Sequence, residues 1–233
     1  MIPLRDQNPS RSTPVVTRGL IVLNAVLFLY ELSLGSGLRD FMFSWGLVPA
    51  RLAAAYDLGG EPLAWTGITL ASSMFLHGGW LHLVGNMWYL WIFGDNVEDQ
   101  FGAVPFLLFY VAAGVAASLL HAFTNLESRV PTLGASGAIA GVLGAYAVMF
   151  PRARVITLVP LFPFFQVIPL PAVLMLGVWF LFQFVAGAIS VGQGGAGGGV
   201  AWWAHIGGFL FGVIVAKITY PFRRRPESYA EVE

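Results

Sequence analysis

Six apolar runs, each about as long as a helix that crosses a lipid bilayer, dominate the sequence. A membrane-spanning helix takes about 20 residues. Hydrophobic residues make up 57% of the chain and charged residues 10%, well below the charged share of a soluble domain. The sequence therefore predicts an all-α membrane protein with six transmembrane helices. The runs lie at residues 19–35, 80–97, 104–123, 134–150, 172–190 and 200–220.

A seventh apolar run, residues 155–171, carries four prolines, which a spanning helix tolerates poorly. We expect it to form a connection at the membrane interface. With six spans and both termini inside, nine of the twelve Lys and Arg residues lie inside and three outside, as the positive-inside tendency requires. The outer three are Arg39, Arg51 and Arg129, and the inner nine include the cluster Arg223–Arg225.

This topology divides the chain into a cytoplasmic N-terminal segment (1–16), a six-helix membrane domain (17–220) and a cytoplasmic tail (221–233). The first outer loop, about residues 36–79, is long and rich in aromatic residues. Such residues often lie at the level of the lipid headgroups, so the loop either enters the outer leaflet in part or packs on the helix bundle. The sequence has no cysteine, which excludes disulfides and thiolate metal sites. It also has no basic patch with interleaved aromatic residues, so nucleic acid is not an expected partner.

A serine flanked by glycines opens the fourth run. Ser136 lies in the first turn of the predicted helix, where free backbone N–H groups and the helix dipole favour negative charge. The match to the Gly-x-Ser-x-Gly elbow of soluble hydrolases is incomplete, because Ala138 replaces the last glycine. Taken alone, the motif has a second interpretation, a small-residue face for close helix packing. That face would consist of Gly134, Gly137 and Gly141.

Polar residues recur at one depth in three of the predicted helices. The second, fourth and sixth helices all begin at the outer face, and they carry His82 with Asn86, Ser136, and His205 near that end. A rise of about 1.5 Å per residue puts these side chains within about 10 Å of the outer helix ends. Each could be satisfied by a neighbouring helix, but ionisable groups within a membrane are costly and favour a functional interpretation. A histidine metal site is disfavoured, because no acidic ligand lies at that depth.

These residue types can carry out nucleophilic hydrolysis. Ser136 would be the nucleophile, and His205 the base that takes its proton and later protonates the leaving amine. Neither the fourth nor the sixth helix has an Asp or Glu near that depth, so the hypothesis is a dyad that uses no cofactor and no metal. Asn86, His82 and the Ser136 backbone N–H are the candidate oxyanion hole.

Three motifs together resemble the signatures of the rhomboid intramembrane serine proteases, over roughly residues 17–220. The resemblance implies a rhomboid-type bundle of six helices, with Ser136 at the top of a central helix and His205 facing it. It also implies that Gly208 and Gly212 pack the sixth helix against the fourth, and that Glu98 has a structural role at the inner end of the second. The motifs are His82-Leu83-Val84-Gly85-Asn86, Gly134-Ala135-Ser136-Gly137 and Ala204-His205-Ile206-Gly207-Gly208 with Gly212.

Two positions depart from the pattern of that family. Many members carry an aromatic residue four positions after the serine, stacked on the histidine, where this chain has Ala140. A Trp-Arg pair common in the first loop is absent, since Thr66 follows Trp65. The sequence therefore leaves open what supports the His205 ring.

The leading hypothesis is a protease that cuts single-span membrane proteins near the outer face of a prokaryotic plasma membrane. Substrates would arrive laterally from lipid past the fifth helix, which is uncharged and precedes the glycine run Gly192–Gly199. On that hypothesis Trp179→Ala or Phe180→Ala loosens the helix and raises cleavage or leaves it intact, unless Trp179 is simply a packed aromatic residue. Two other classes are an inactive relative, which would lack the serine or histidine, and a transporter, which would show repeated halves and charged groups near mid-membrane.

Overall fold

The structure is a computed structural model that describes residues 1–56, 63–161, 163–192 and 200–220. Nine α-helices and three β-strands form within these ranges. The helices are α1 (Val15–Ser33), α2 (Leu38–Trp45), α3 (Pro49–Tyr56), α4 (Leu63–Ser72), α5 (Trp80–Phe101), α6 (Ala103–Thr124), α7 (Ser136–Met149), α8 (Ala172–Gly192) and α9 (Trp202–Thr219). The strands are β1 (Ile2–Asp6), β2 (Arg154–Leu161) and β3 (Phe164–Pro171).

Six long helices form where the sequence predicts them, and they confirm a mostly helical membrane fold. Four of them, α1, α6, α8 and α9, are long and apolar enough to cross a bilayer. The other two differ: α7 has only 14 residues, and α5 ends in a segment that carries three carboxylates. That α5 and α7 also cross the membrane, and that both termini lie inside, stay predictions.

Helix α7 lies at the centre of the bundle. Almost every residue from Gly137 to Met149 is buried, as expected of a helix that is apolar on all sides. Helices α5, α6, α8 and α9 surround it. Ser136, its first residue, is half-buried, so the centre of the bundle opens toward solvent at that end.

Glycines bring α7 and α9 into backbone contact. A Cβ atom on Gly208 would overlap the carbonyl oxygen of Gly137, and one on Gly212 would overlap that of Gly141. Both contact pairs are four residues apart, so the two helices run parallel. Membrane helices gain van der Waals contact through small residues of this kind. The structure therefore packs α9 on α7 through Gly208 and Gly212.

The buried carboxylate of Glu98 caps another helix. The first N–H groups of an α-helix have no partner within the helix. Glu98, near the end of α5, accepts hydrogen bonds from the backbone N–H of Val16 (2.9 Å) and Thr17 (2.7 Å) and from the Thr17 hydroxyl (2.7 Å). Pro14 at the N-cap has no side chain that could do this. Glu98 thus fixes the start of α1 against α5.

The proline-rich run after α7 is a β-hairpin. Strands β2 and β3 pair antiparallel from Arg154 opposite Pro171 to Leu161 opposite Phe164, and β1 pairs with the other edge of β2. The prediction that this run is not a spanning helix agrees with the structure, whereas the sheet itself was not expected. The Tyr146 hydroxyl donates to Asp6 (2.6 Å), so the sheet lies at the end of α7 opposite to Ser136. The parallel helix α9 ends there as well.

The long first loop packs on the bundle at the Ser136 end. Leu47 forms an antiparallel bridge with Thr132, and the Gly134 N–H donates to the Ser73 carbonyl (2.9 Å). Of the two expectations for this loop, packing on the bundle is the one that these contacts support. Residues 57–62 of the loop lie outside the described residues.

The glycine contact predicts a stability effect. Gly212→Ala should destabilise the fold by about 1–3 kcal/mol, because the added methyl group overlaps the Gly141 carbonyl and forces α9 away from α7. Thermal unfolding in detergent, followed by tryptophan fluorescence, measures the change. The matched control is Gly177→Ala on α8, where a Cβ atom would meet nothing within 4 Å. Equal melting temperatures for the two variants would contradict the packing role of Gly212.

Candidate active site

Ser136 begins α7 directly after a turn that requires glycine. Gly134 has φ +116°, a backbone conformation that residues with a Cβ atom rarely adopt. A Cβ atom there would also lie only 2.5 Å from His82 Nε2. The turn therefore presents Ser136 at the N-terminus of the helix, with α5 close by.

The structure brings Ser136 and His205 into hydrogen-bond contact. His205 lies in the first turn of α9, and its Nε2 atom is 2.8 Å from Ser136 Oγ. The distance follows from the packing described above, because Gly208, about one turn after His205, contacts the carbonyl of Gly137, which directly follows Ser136. Both residues are half-buried. A serine hydroxyl beside an imidazole nitrogen is the arrangement in which a base activates a nucleophile.

The second ring nitrogen of His205 has a partner that the sequence analysis missed. His205 Nδ1 is 2.7 Å from Gln183 Oε1, on α8. The Gln183 side chain is 6% exposed. An available indication was that Gln183 is the single amide residue in the otherwise apolar run 172–190. It was overlooked because an amide is less conspicuous than a histidine or a carboxylate.

Two tryptophans surround the His205 ring and take the place of the aromatic residue missing at Ala140. The Trp179 ring centroid lies 5.9 Å from that of His205, with the planes at 37°, and the Trp202 ring meets it edge-on at 6.4 Å. Ala140 is fully buried. The support for the histidine thus comes from α8 and α9 instead of α7.

His82 and Asn86 direct polar atoms toward the turn before Ser136. A Cβ atom on Gly134 would lie 2.5 Å from His82 Nε2 and 3.6 Å from Asn86 Nδ2. The Gly78 N–H donates to His82 Nδ1 (3.3 Å), which leaves the hydrogen of the neutral ring on Nε2. Asn86 Nδ2 is buried without a hydrogen-bond partner among the described residues. Two N–H donors therefore converge beside the serine.

His77 packs against His82 and binds Glu31 through its backbone. Its ring is fully buried and meets the His82 ring edge-on at 5.1 Å. Its backbone N–H donates to the Glu31 carboxylate, at 3.3 and 3.2 Å from the two oxygens. Burial, and to a smaller extent the nearby His82, lower the pKa of His77 to about 4, so the ring is neutral at pH 7.

A small cavity of about 20 Å³, room for about one water molecule, borders Ser136, between α6, α7 and the segment around Ser73. Ser73, Ser118 and Thr132 line it together with mostly small or apolar residues. Within the part of the chain that the structure describes, no three His, Asp or Glu side chains lie close enough together to hold one metal ion.

Comparison with known proteins identifies the family to which most of the chain is similar. Residues 64–222 match the family model described as "Rhomboid domain". "Rhomboid protein 1, mitochondrial" from Saccharomyces cerevisiae is 35% identical over 156 residues, which is 63% of this chain and 40% of the yeast protein. "Rhomboid protease GluP" from Bacillus subtilis is 35% identical over 133 residues, 57% of this chain and 24% of that protein.

A third relative is "Presenilin-associated rhomboid-like protein A, mitochondrial" from Danio rerio. It is 31% identical over 155 residues, 63% of this chain and 36% of its own length. The chain thus spans less than half the length of each of these three relatives. The family model, in contrast, covers well over half of the chain, so the chain is a multi-pass integral membrane protein and belongs to the rhomboid family.

Proposed function

We propose that this chain is an intramembrane serine protease that cleaves single-span membrane proteins near the outer membrane face. The observation that carries the proposal is the 2.8 Å contact between Ser136 Oγ and His205 Nε2. The name of the GluP relative, a rhomboid protease, agrees with it. An inactive relative would lack one member of this pair, and here both are present and in contact.

The proposed reaction is acyl transfer through Ser136. The Ser136 oxygen attacks the peptide carbonyl carbon while its proton moves to His205 Nε2. The tetrahedral intermediate collapses, the C–N bond breaks, and His205 gives the proton to the leaving amine. Water then attacks the Ser136 ester: His205 takes a proton from that water and returns it to Ser136 Oγ, releasing the carboxylate product.

We assign the oxyanion hole to His82, Asn86 and the Ser136 backbone N–H. The negative charge on the carbonyl oxygen grows only as the tetrahedral intermediate forms, so donors already in place stabilise the transition state more than the substrate. His82 Nε2–H and the unpartnered Asn86 amide lie next to the turn at Gly134. Leaving a buried amide unpaired costs free energy in the resting protein, which a substrate oxygen would relieve.

The length of α7 supports a site that lies inside the membrane and remains accessible to water. Fourteen residues span about 21 Å, less than the roughly 30 Å hydrocarbon layer. The end of α7 beside β1 and β2 is taken to lie at one edge of this layer. The Ser136 end then lies about 10 Å inside the other edge. The charge distribution predicts that this edge is the outer face.

We further propose that substrates arrive laterally from lipid, past α8. The face of α8 away from the bundle is apolar and exposed, as a lipid boundary would be. The glycine run after it lies, from residue 193 on, outside the described residues. The contact of Trp179 with His205 changes one expectation: Trp179→Ala removes support from the base, so we now expect lower cleavage from it instead of higher.

The bacterial inner membrane is no longer our expectation for the location. The yeast and zebrafish relatives are named as mitochondrial, while GluP is bacterial. A multi-pass membrane location stands, whereas these relatives, two named as mitochondrial and one bacterial, do not select a prokaryotic plasma membrane.

The dyad predicts the outcome of three variants. Ser136→Ala, His205→Ala and the double variant should each lower cleavage of a single-span substrate in liposomes by about 10⁴-fold or more, with the double no worse than either single, because the two residues act as one unit. Gel analysis of the products and mass spectrometry of the cut site measure the loss. Melting temperatures near that of the wild type are the control for folding. Robust cleavage by Ser136→Ala would refute the mechanism.

The oxyanion assignment predicts a partial loss. Asn86→Ala and His82→Ala should each lower kcat by up to about 10²–10³-fold with a smaller change in KM, since the lost donor acts mainly in the transition state. Steady-state kinetics with a fluorogenic membrane substrate separates the two constants. Equal losses in binding and rate, or unfolding of Asn86→Ala, would favour a packing role for these residues.

Lateral access predicts that joining α5 and α8 closes the site. Because the chain has no native cysteine, one cysteine in the first turn of α5 and one in the last turns of α8 can be joined by a bifunctional reagent that forms a disulfide with each. We expect the cross-linked protein to lose cleavage of a membrane substrate and to regain it on reduction. The same cross-link between the opposite ends of the two helices is the control. Undiminished cleavage with the first cross-link verified would contradict lateral access.

A further inference from the structure

Gln183 is a polar residue in buried, apolar surroundings, where a polar side chain is costly unless it forms a hydrogen bond. It lies in the middle of α8, is 6% exposed, and is surrounded in sequence by Phe182 and Phe184. An amide buried without partners in an apolar setting costs free energy. Its Oε1 atom makes a hydrogen bond of 2.7 Å, and the partner is the ring of His205 instead of a backbone group.

The hydrogen bond selects one tautomer of the histidine. An amide oxygen can only accept, so the hydrogen of the neutral ring must lie on Nδ1. The lone pair then lies on Nε2, which is 2.8 Å from Ser136 Oγ. This is the tautomer in which His205 can take the serine proton. The other tautomer would direct an N–H group at the serine oxygen and could not act as a base.

The aromatic contacts cannot make this selection. A half-turn of the ring about its Cβ–Cγ bond exchanges Nδ1 with Cδ2 and leaves the ring plane where it was. The tilted contact of Trp179 and the edge contact of Trp202 depend on the ring plane, so they are nearly the same in both orientations. A hydrogen bond at Nδ1 distinguishes the two, and Gln183 supplies it.

We infer that Gln183 is a positioning residue that holds His205 in the tautomer and orientation needed for it to serve as the base. It does the work that a carboxylate does in a three-residue serine hydrolase site, with a neutral acceptor suited to apolar surroundings. The inference rests on the proposed function, because the base that Gln183 positions is His205, the base of the proposed reaction.

The direct test reads the tautomer itself. The chain has four histidines, so nitrogen-15 NMR of histidine-labelled protein is tractable, and the His205 signals are assigned by their loss in His205→Ala. In the wild type we expect the hydrogen on Nδ1. In Gln183→Met, an apolar side chain of similar length, we expect a mixture or the Nε2–H form. An unchanged tautomer in a folded Gln183→Met protein would overturn the inference.

Kinetics supply the second readout. Gln183→Met should lower kcat by about 10- to 100-fold with little change in KM, because Gln183 is buried and acts through His205. Gln183→Glu should retain the Nδ1–H tautomer and most of the activity, since a carboxylate can accept the same hydrogen bond. Loss of both the Nδ1–H tautomer and the activity in a folded Gln183→Glu protein would also overturn the inference. This variant tests the inference even if Gln183→Met fails to fold.

A control on the same helix separates positioning from general disturbance of α8. The Ser190 hydroxyl donates only to the Gly187 carbonyl one turn earlier (2.7 Å), away from His205. Ser190→Ala should leave the tautomer and kcat unchanged. If the wild type shows the Nδ1–H tautomer but cleaves no substrate, the proposed function fails while the positioning contact stands. If it cleaves, and Gln183→Met cleaves equally well, the positioning role fails alone.

Discussion

The backbone contact between α7 and α9 is the constraint on which the rest of the structure depends. Gly137 and Gly141 on one helix meet Gly208 and Gly212 on the other, with no room for a methyl group between them. In lipid, where burial of apolar surface does not drive helix association, such contact supplies much of the packing free energy. The same contact brings the first turns of the two helices together and sets the distance between Ser136 and His205. The same contact therefore determines both the packing of the two helices and the geometry of the candidate active site.

Several polar groups within the bundle form hydrogen bonds with other parts of the chain. Glu98 of α5 caps α1, Glu31 of α1 accepts the His77 N–H, and Gln183 of α8 accepts from His205. A polar group without a partner is costly in such surroundings, so each of these contacts favours one relative placement of the segments it joins. The Asn86 amide is a buried group without a partner among the described residues, and it lies beside Ser136. Other buried polar atoms also lack partners, among them both ring nitrogens of His77, so it is the place of the Asn86 amide beside Ser136 that fits a donor kept free for a substrate.

The long helices and the central pair of residues were predictable for simple reasons. Apolar runs of about 20 residues have few alternatives to a helix in lipid, and a serine or histidine within them is conspicuous. The sheet was not predictable, because β1 pairs with β2 about 150 residues away and the hairpin lacks a clear alternation of polar and apolar residues. Gln183 was missed for a different reason. Its role appears only when α8 and α9 are placed side by side, and no local pattern indicates that α8 faces the histidine.

The central claim is that Ser136 is a nucleophile activated by His205. The most direct measurement is reaction of the protein in detergent with a fluorophosphonate probe, followed by peptide mass spectrometry, since only an activated serine should react. We expect a single adduct on Ser136 in the wild type and a strong reduction of it in His205→Ala. No adduct on Ser136 in the folded wild-type protein, or equal labelling in His205→Ala, would contradict the account.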